Sequence, residues 1–229
     1  MATADSVDDV ATARGGLHVL IIGRPTHLRD NDQLLEDLYE RVRQSAVVTI
    51  VRCQNPRLLV NAVREVVRSQ PTPEHKLIAT LDLFDHGREG QMRMGDEMLS
   101  LSHFAVDSKA EAGGGAAEDL RDYLTSDARV RLLGCRTACG PNGRQLLIDL
   151  HAWLNEGSGT NRLAYGALYN VRPESVFDNQ GSFHADEAVY LFSSCEAKKG
   201  MAPSIEARIA VIMQRGPGEP LPSPCPPPP

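Results

Sequence analysis

The sequence predicts an α/β domain built on a mostly parallel sheet with helices on both faces. Three observations carry this. Short apolar, β-branched runs recur along the chain. They alternate with stretches whose apolar residues fall at helical spacing. And the runs are apolar throughout, as strands covered on both faces are, instead of alternating as in a half-exposed sheet.

Taken in order, Leu17–Gly23 (LHVLIIG) is the first buried strand. Asp30 or Asn31 can cap a helix running to about Gln44, with Leu34, Leu35, Leu38 and Val42 on one face. Ala46–Cys53 is the second strand. Pro56 suits a helix start, and Leu58, Leu59, Ala62, Val63, Val66 and Val67 give that helix an apolar stripe to about Arg68. Leu77–Asp85 (LIATLDLFD) is the third strand, followed by a glycine-bearing hairpin over Gly87–Asp96. Glu111–Ala117 (EAGGGAA) reads as a flexible loop and Glu118–Ser126 as a helix. Val130–Cys135 is the fourth strand, Gly143–Asn155 a helix and Arg162–Tyr169 the fifth strand. A further strand is expected within Phe183–Phe192 and a last helix over Pro203–Gln214. Residues 1–16 and 216–229 are expected to be disordered flanks of a domain over 17–215, the second flank carrying eight of the fifteen prolines.

Composition removes several function classes. A net charge of -6 argues against the basic face that sequence-independent binding of nucleic acid needs. No run approaches the ~18 apolar residues of a membrane span. The first sixteen residues hold three aspartates and no apolar core, unlike a secretory signal. Five scattered cysteines do not form a disulfide framework, so the expectation is a cytoplasmic protein with reduced thiols. No cofactor is expected. Cys135 and Cys139 form a C-x3-C pair without two further ligands at metal-binding spacing, so no metal is expected either.

In an open parallel sheet, ligands bind beyond the carboxyl ends of the strands. The third strand ends in Asp85-His86-Gly87 and the fourth in Gly134-Cys135-Arg136. A thiol is mostly protonated at neutral pH, and a neighbouring imidazole activates it by taking its proton. The glycine after the histidine allows close backbone approach, so the amides of Gly87 and Cys135 can serve as an oxyanion hole. Asp85 can orient His86 or shape a pocket. Cys53 reads as core packing, Cys195 as a half-buried thiol, and Cys225 lies in the proline tail. His18 reads as a core histidine, His27 as a cleft candidate, His151 as facing the surface of its helix, and Trp153 as packing. His103 and His184 have no motif around them, and Gly113–Gly115 lacks the features of a phosphate loop.

Asp82-Leu-Phe-Asp-His86-Gly87, with Gly90 and Met94-Gly95-Asp96, followed by Leu132-Leu-Gly-Cys135-Arg-Thr-Ala138 and Gly140–Gly143, resembles the caspase-like (clan CD) cysteine peptidases. The nearest pattern is that of the CHAT-type bacterial caspase-like domains. The His-to-Cys separation is also close to the ~50 residues of caspases. The resemblance spans about Leu17 to Phe192 and implies a three-layer sandwich and endopeptidase activity. His86 would be the general base and acid, Cys135 the nucleophile, and the Gly87 and Cys135 amides the oxyanion hole, with no third acidic residue required. The pentapeptide of true caspases is absent, and Leu133 stands two residues before the cysteine. For the specificity pocket, the resemblance leaves two readings open. Asp178 or Glu174 would receive a basic substrate side chain, or Arg24 an acidic one, with the basic preference favoured. The implied partners are a protein substrate and a regulatory protein. The competing reading is a catalytically silent interaction module of the same fold.

Overall fold

The computed structural model describes residues 16–26, 32–70, 77–104, 119–157, 159–178, 183 and 191–201. Six strands form the central sheet: β1 (Leu17–Gly23), β2 (Thr49–Cys53), β3 (Ile78–Phe84), β7 (Leu124–Leu132), β8 (Leu163–Ala167) and β9 (Leu191–Ser193). Their spatial order is β2-β1-β3-β7-β8-β9. All neighbours are parallel except β8 and β9, which are antiparallel.

Successive residues along a strand point to opposite faces, so each strand feeds two cores. Val19, Ile21, Leu81, Leu83, Val130 and Leu132 pack on one face. That face is covered by α2 (Leu59–Ser69) and α3 (Gly140–Leu154), with Val60, Val63, Leu147 and Leu150 fully or nearly fully buried. Leu20, Ile22, Phe84 and Leu133 pack on the other face. There they meet Leu35, Leu38 and Val42 of α1 (Gln33–Val42) and Val176 of α4 (Pro173–Val176). The result is a three-layer α/β sandwich, as the unbroken apolar runs predict.

Three short antiparallel strands, β4 (Gly87–Arg88), β5 (Gln91–Met94) and β6 (Glu97–Met98), follow β3. Gly90 and Gly95 make their turns at φ +68° and +64°, where a side chain is unfavourable. The expected hairpin is therefore a three-stranded meander, and its inward Met92 and Met94 join the core.

The helix expected over 118–126 is not formed. Asp119 caps one 3-10 turn at Leu120–Tyr123, and the chain then enters β7 at Leu124, earlier than the apolar run suggests. The first part of β7 is polar and enters past a register irregularity, after which the ladder with β3 is regular. His151 is half-buried, not surface-facing, and its Nδ1 lies 3.1 Å from Ser194 Oγ of α5 (Ser194–Lys198). Cys195 is disulfide-bonded, in place of the expected free thiol. Trp153 packs on Phe104 with ring centroids 5.3 Å apart. The expectations for residues 1–15, His27, 105–118, His184 and the segment from 202 onward lie outside the described residues.

Candidate active site

The β3–β7 ladder pairs Thr80 with Arg129, Leu81 with Val130, Asp82 with Arg131 and Leu83 with Leu132. Each partner is 49 positions further along the chain, which is also the separation of His86 and Cys135. The register therefore carries His86 and Cys135 out of the sheet level with each other. Leu133 N–H donates to Leu83 O (2.8 Å), continuing the pairing beyond the last ladder residues.

A buried ion network sits four residues inside this edge. Arg131 Nε and Nη2 reach Asp82 Oδ1 and Oδ2 at 2.5 and 2.7 Å, and His18 Nε2 lies 2.7 Å from Asp82 Oδ2. Burial alone would push the Asp82 carboxyl up, but the charges of Arg131 and His18 outweigh it and hold it down to about 2. Phe183 covers the Arg131 guanidinium, 4.3 Å from the ring centroid. The network ties β1, β3 and β7 together and favours one register, since a one-residue slip would send Asp82 and Arg131 to opposite faces.

The two strand ends are drawn together by glycine. A Cβ added to Gly87 would lie 2.7 Å from Gly134 C and 2.8 Å from Gly134 Cα. One added to Gly134 would lie 3.0 Å from Gly87 Cα. Only two glycines allow that backbone contact, and each is next to one of the candidate reactive residues.

After Gly134 the chain turns sharply into α3. Arg136 takes φ +57°, uncommon for a residue with a side chain, and its N–H donates to Tyr169 O (2.9 Å). Thr137 clamps the turn: its hydroxyl donates to Leu132 O (3.0 Å) and accepts from Ala167 N–H (3.1 Å). Gly90 N–H donates to Thr137 O (3.1 Å), fixing the meander to the same turn. Thr137 and Arg136 were not singled out from sequence; the requirement for a left-handed residue and a turn clamp appears only once the chain path is known.

Cys135 is half-buried and His86 exposed. The Cys135 thiol is 3.8 Å from Val171 O, and no hydrogen bond joins it to His86. Such contacts are often loose before substrate binds. The Cys135 N–H has no hydrogen-bond acceptor. Arg93 N–H of β5 donates to His86 O just before β4, which makes Gly87–Met92 the non-hydrogen-bonded pair of the ladder. Gly87 N–H consequently points away from β5. Both amides expected to bind an oxyanion are left unused by the fold.

Asp85 is sealed in the structure, so its expected place in a substrate pocket is corrected. Its carboxylate accepts the His86 N–H and the Gly95 N–H, each at 2.6 Å, with Arg93 Nε 3.6 Å away. Burial raises its pKa against those bonds. It braces the histidine backbone and the meander. Arg24 follows β1 near Glu36 of α1, whose carboxyl is held down first by Arg52 and last by Arg24. Glu174 is exposed in the first turn of α4 and Asp178 follows that helix, half-buried. Neither Arg24 nor Glu174 bonds to His86 or Cys135.

Asp32, at the N-cap of α1, is the residue that sequence reading passed over in favour of Asp30 and Asn31. Its side chain caps no helix N–H and instead contacts His86 Nε2. Arg93 Nη2 lies 3.8 Å from the same carboxylate. The signal available in sequence was an acidic residue closing the loop after the first strand.

The other thiols are turned inward. Cys139 Sγ reaches Leu168 O (3.0 Å) and Cys53 Sγ reaches Asn55 O (3.1 Å). Among the described residues no group of three His, Cys, Asp or Glu could hold a metal ion, and no helix is long and apolar enough to cross a membrane.

No curated protein matches the chain. A domain family does match, over residues 26–158, more than half of the chain and including both His86 and Cys135. The chain thus belongs to the family DUF4347, a domain of unknown function.

Proposed function

We propose that this chain is a cysteine endopeptidase of caspase-like type with a His86–Cys135 dyad. The observation that carries the reading is the β3–β7 register, which brings both residues to the carboxyl edge of the sheet beside two touching glycines. The unclaimed Gly87 and Cys135 amides support it.

In this reading the Cys135 thiol gives its proton to His86, and the thiolate attacks the scissile carbonyl carbon. The oxyanion is held by the two amides. His86 then returns the proton to the departing amine, and water hydrolyses the thioester with His86 as base. The substrate is a protein, cut after a basic residue received by Asp178 or Glu174. Cleavage after an acidic residue would point to Arg24 instead. The setting is cytoplasmic, with the Cys195 disulfide standing against the reduced Cys53, Cys135 and Cys139, and control is by a partner protein or by self-cleavage in Glu111–Ala117.

The test is a cleavage profile on a peptide library with the full chain, Cys135→Ala and His86→Ala. Cleavage lost in both variants is expected. Full activity in purified Cys135→Ala, or no cleavage by the wild type together with partner capture indifferent to both substitutions, overturns the proposal and favours an interaction module.

A further inference from the structure

We infer that Asp32 is a positioning residue for His86, so that the dyad works as a Cys135–His86–Asp32 triad with Nδ1 as the proton-accepting nitrogen; this rests on the peptidase reading above.

Asp32 gives up the usual task of its position. An acidic residue at a helix N-cap ordinarily accepts a hydrogen bond from the first turn. Here no such bond is made, and the carboxylate contacts His86 Nε2. The Asp32 side chain is 11% exposed whereas that of His86 is 47% exposed, so a sheltered anion holds one edge of an accessible ring. Arg93 approaches both Asp32 and Asp85, at 3.8 and 3.6 Å, which ties the carboxylate that contacts the ring to the one that holds the His86 backbone.

A carboxylate accepts only, so Nε2 carries the hydrogen toward it. The bond made by one ring nitrogen sets the state of the other. Nδ1 is left with its lone pair, available for the Cys135 proton. When that proton arrives, Asp32 faces the imidazolium and stabilises it. The charged and titratable groups around the ring are Asp32 at the N-cap of α1, Asp85 beneath its own backbone, Arg93 from β5, and the Cys135 thiol level with it beyond β7. Asp32 is the one that touches a ring nitrogen.

The experiment uses the full chain, Asp32→Asn, Asp32→Glu and Asp32→Ala. Histidine side-chain nitrogen spectroscopy reports the His86 tautomer in the unaltered protein, and iodoacetamide alkylation of Cys135 is followed against pH. The expected tautomer is Nε2–H. In Asp32→Asn the Nε2–H preference is lost and the Cys135 alkylation profile moves to higher pH, by about one unit or more. Asp32→Glu restores part of the shift. With a cleavable peptide, kcat falls at least about tenfold while KM moves little. A merely structural Asp32 would change the melting temperature and leave tautomer and pH profile in place, which overturns the inference. So does faster alkylation in Asp32→Asn, which would make Asp32 a latch on the histidine. If the wild type cleaves no peptide yet the His86 tautomer and profile respond to Asp32, the positioning role stands and the peptidase reading falls. If cleavage is found but ignores Asp32→Asn, the reverse holds.

Discussion

Arg131→Met is expected to destabilise the fold severely and to reverse the sign of its acid response. Arg131 and Asp82 are 1% and 0% exposed, and the guanidinium supplies hydrogen bonds to both carboxylate oxygens. Removing the guanidinium leaves the buried anion with only its His18 contact, a loss of about 3–5 kcal/mol. For a domain of this size that lowers the melting temperature by roughly 6–20 °C. The pH response follows from the Asp82 carboxyl, lowered from 3.8 to about 2. Its contribution is complete above the unfolded value and disappears as pH falls through the interval down to about 2, amounting to about 2 kcal/mol. In Arg131→Met only His18 still favours the anion, and burial, the largest influence, is expected to outweigh it and raise the pKa. The penalty is then present at neutral pH and relieved on acidification. Urea denaturation followed by circular dichroism between pH 3 and 7 reads both effects. Asp82→Leu combined with Arg131→Met is expected to recover much of the loss, because an apolar pair leaves no charge behind. Arg131→Met within about 1 kcal/mol of the parent at pH 7, or less stable at pH 5 than at pH 7, would refute the reasoning.

Gly87→Ala drives a Cβ into the Gly134 backbone, which cannot swing aside as a side chain can; about 1–3 kcal/mol of stability and about 100-fold of peptide cleavage are expected to be lost, measured by melting and by initial rates. Native alkylation with iodoacetamide at pH 8, read by peptide mass mapping, is expected to modify Cys135 before the other free thiols. Cys53 is buried and pushed up to about 11, and Cys139 is buried against Leu168 O. Arg162→Met removes the donor for the carbonyls of Arg121, Leu124, Thr125 and Leu154, at 2.9–3.2 Å. A loss of about 2–4 kcal/mol in chemical denaturation is expected, with Cys135 alkylation unchanged, since those carbonyls lie at the opposite end of β7 from Cys135.

The strands that carry the site were legible because burial on both faces demands unbroken apolar runs, and LHVLIIG and LIATLDLF are such runs. The start of β7 was not. Thr125-Ser-Asp-Ala-Arg129 is polar, and its extended form spans two pairings with β3, Leu124 with Ile78 and Arg129 with Thr80, influences 46 and 49 residues distant. Local pattern favoured a helix there, and tertiary pairing prevailed. Asp82 and Arg131 each interrupt an apolar strand, and their partnership is visible only when the ladder sets them side by side. Asp32 was hidden for a related reason. As a helix cap it looks ordinary, and its contact with His86 spans 54 positions.

By itself, then, the sequence determined the α/β class, the order of the main elements, and His86 and Cys135 as the residues at two strand ends. These follow from local periodicity and from glycines beside reactive side chains, properties that a short window of chain already contains. The tertiary structure decided the rest: the register that sets His86 level with Cys135, the burial of Asp85, the clamp at Thr137 and the contact of Asp32 with the imidazole. Each depends on which distant segments meet, and the free energy of such meetings belongs to the packed molecule, not to any stretch of it.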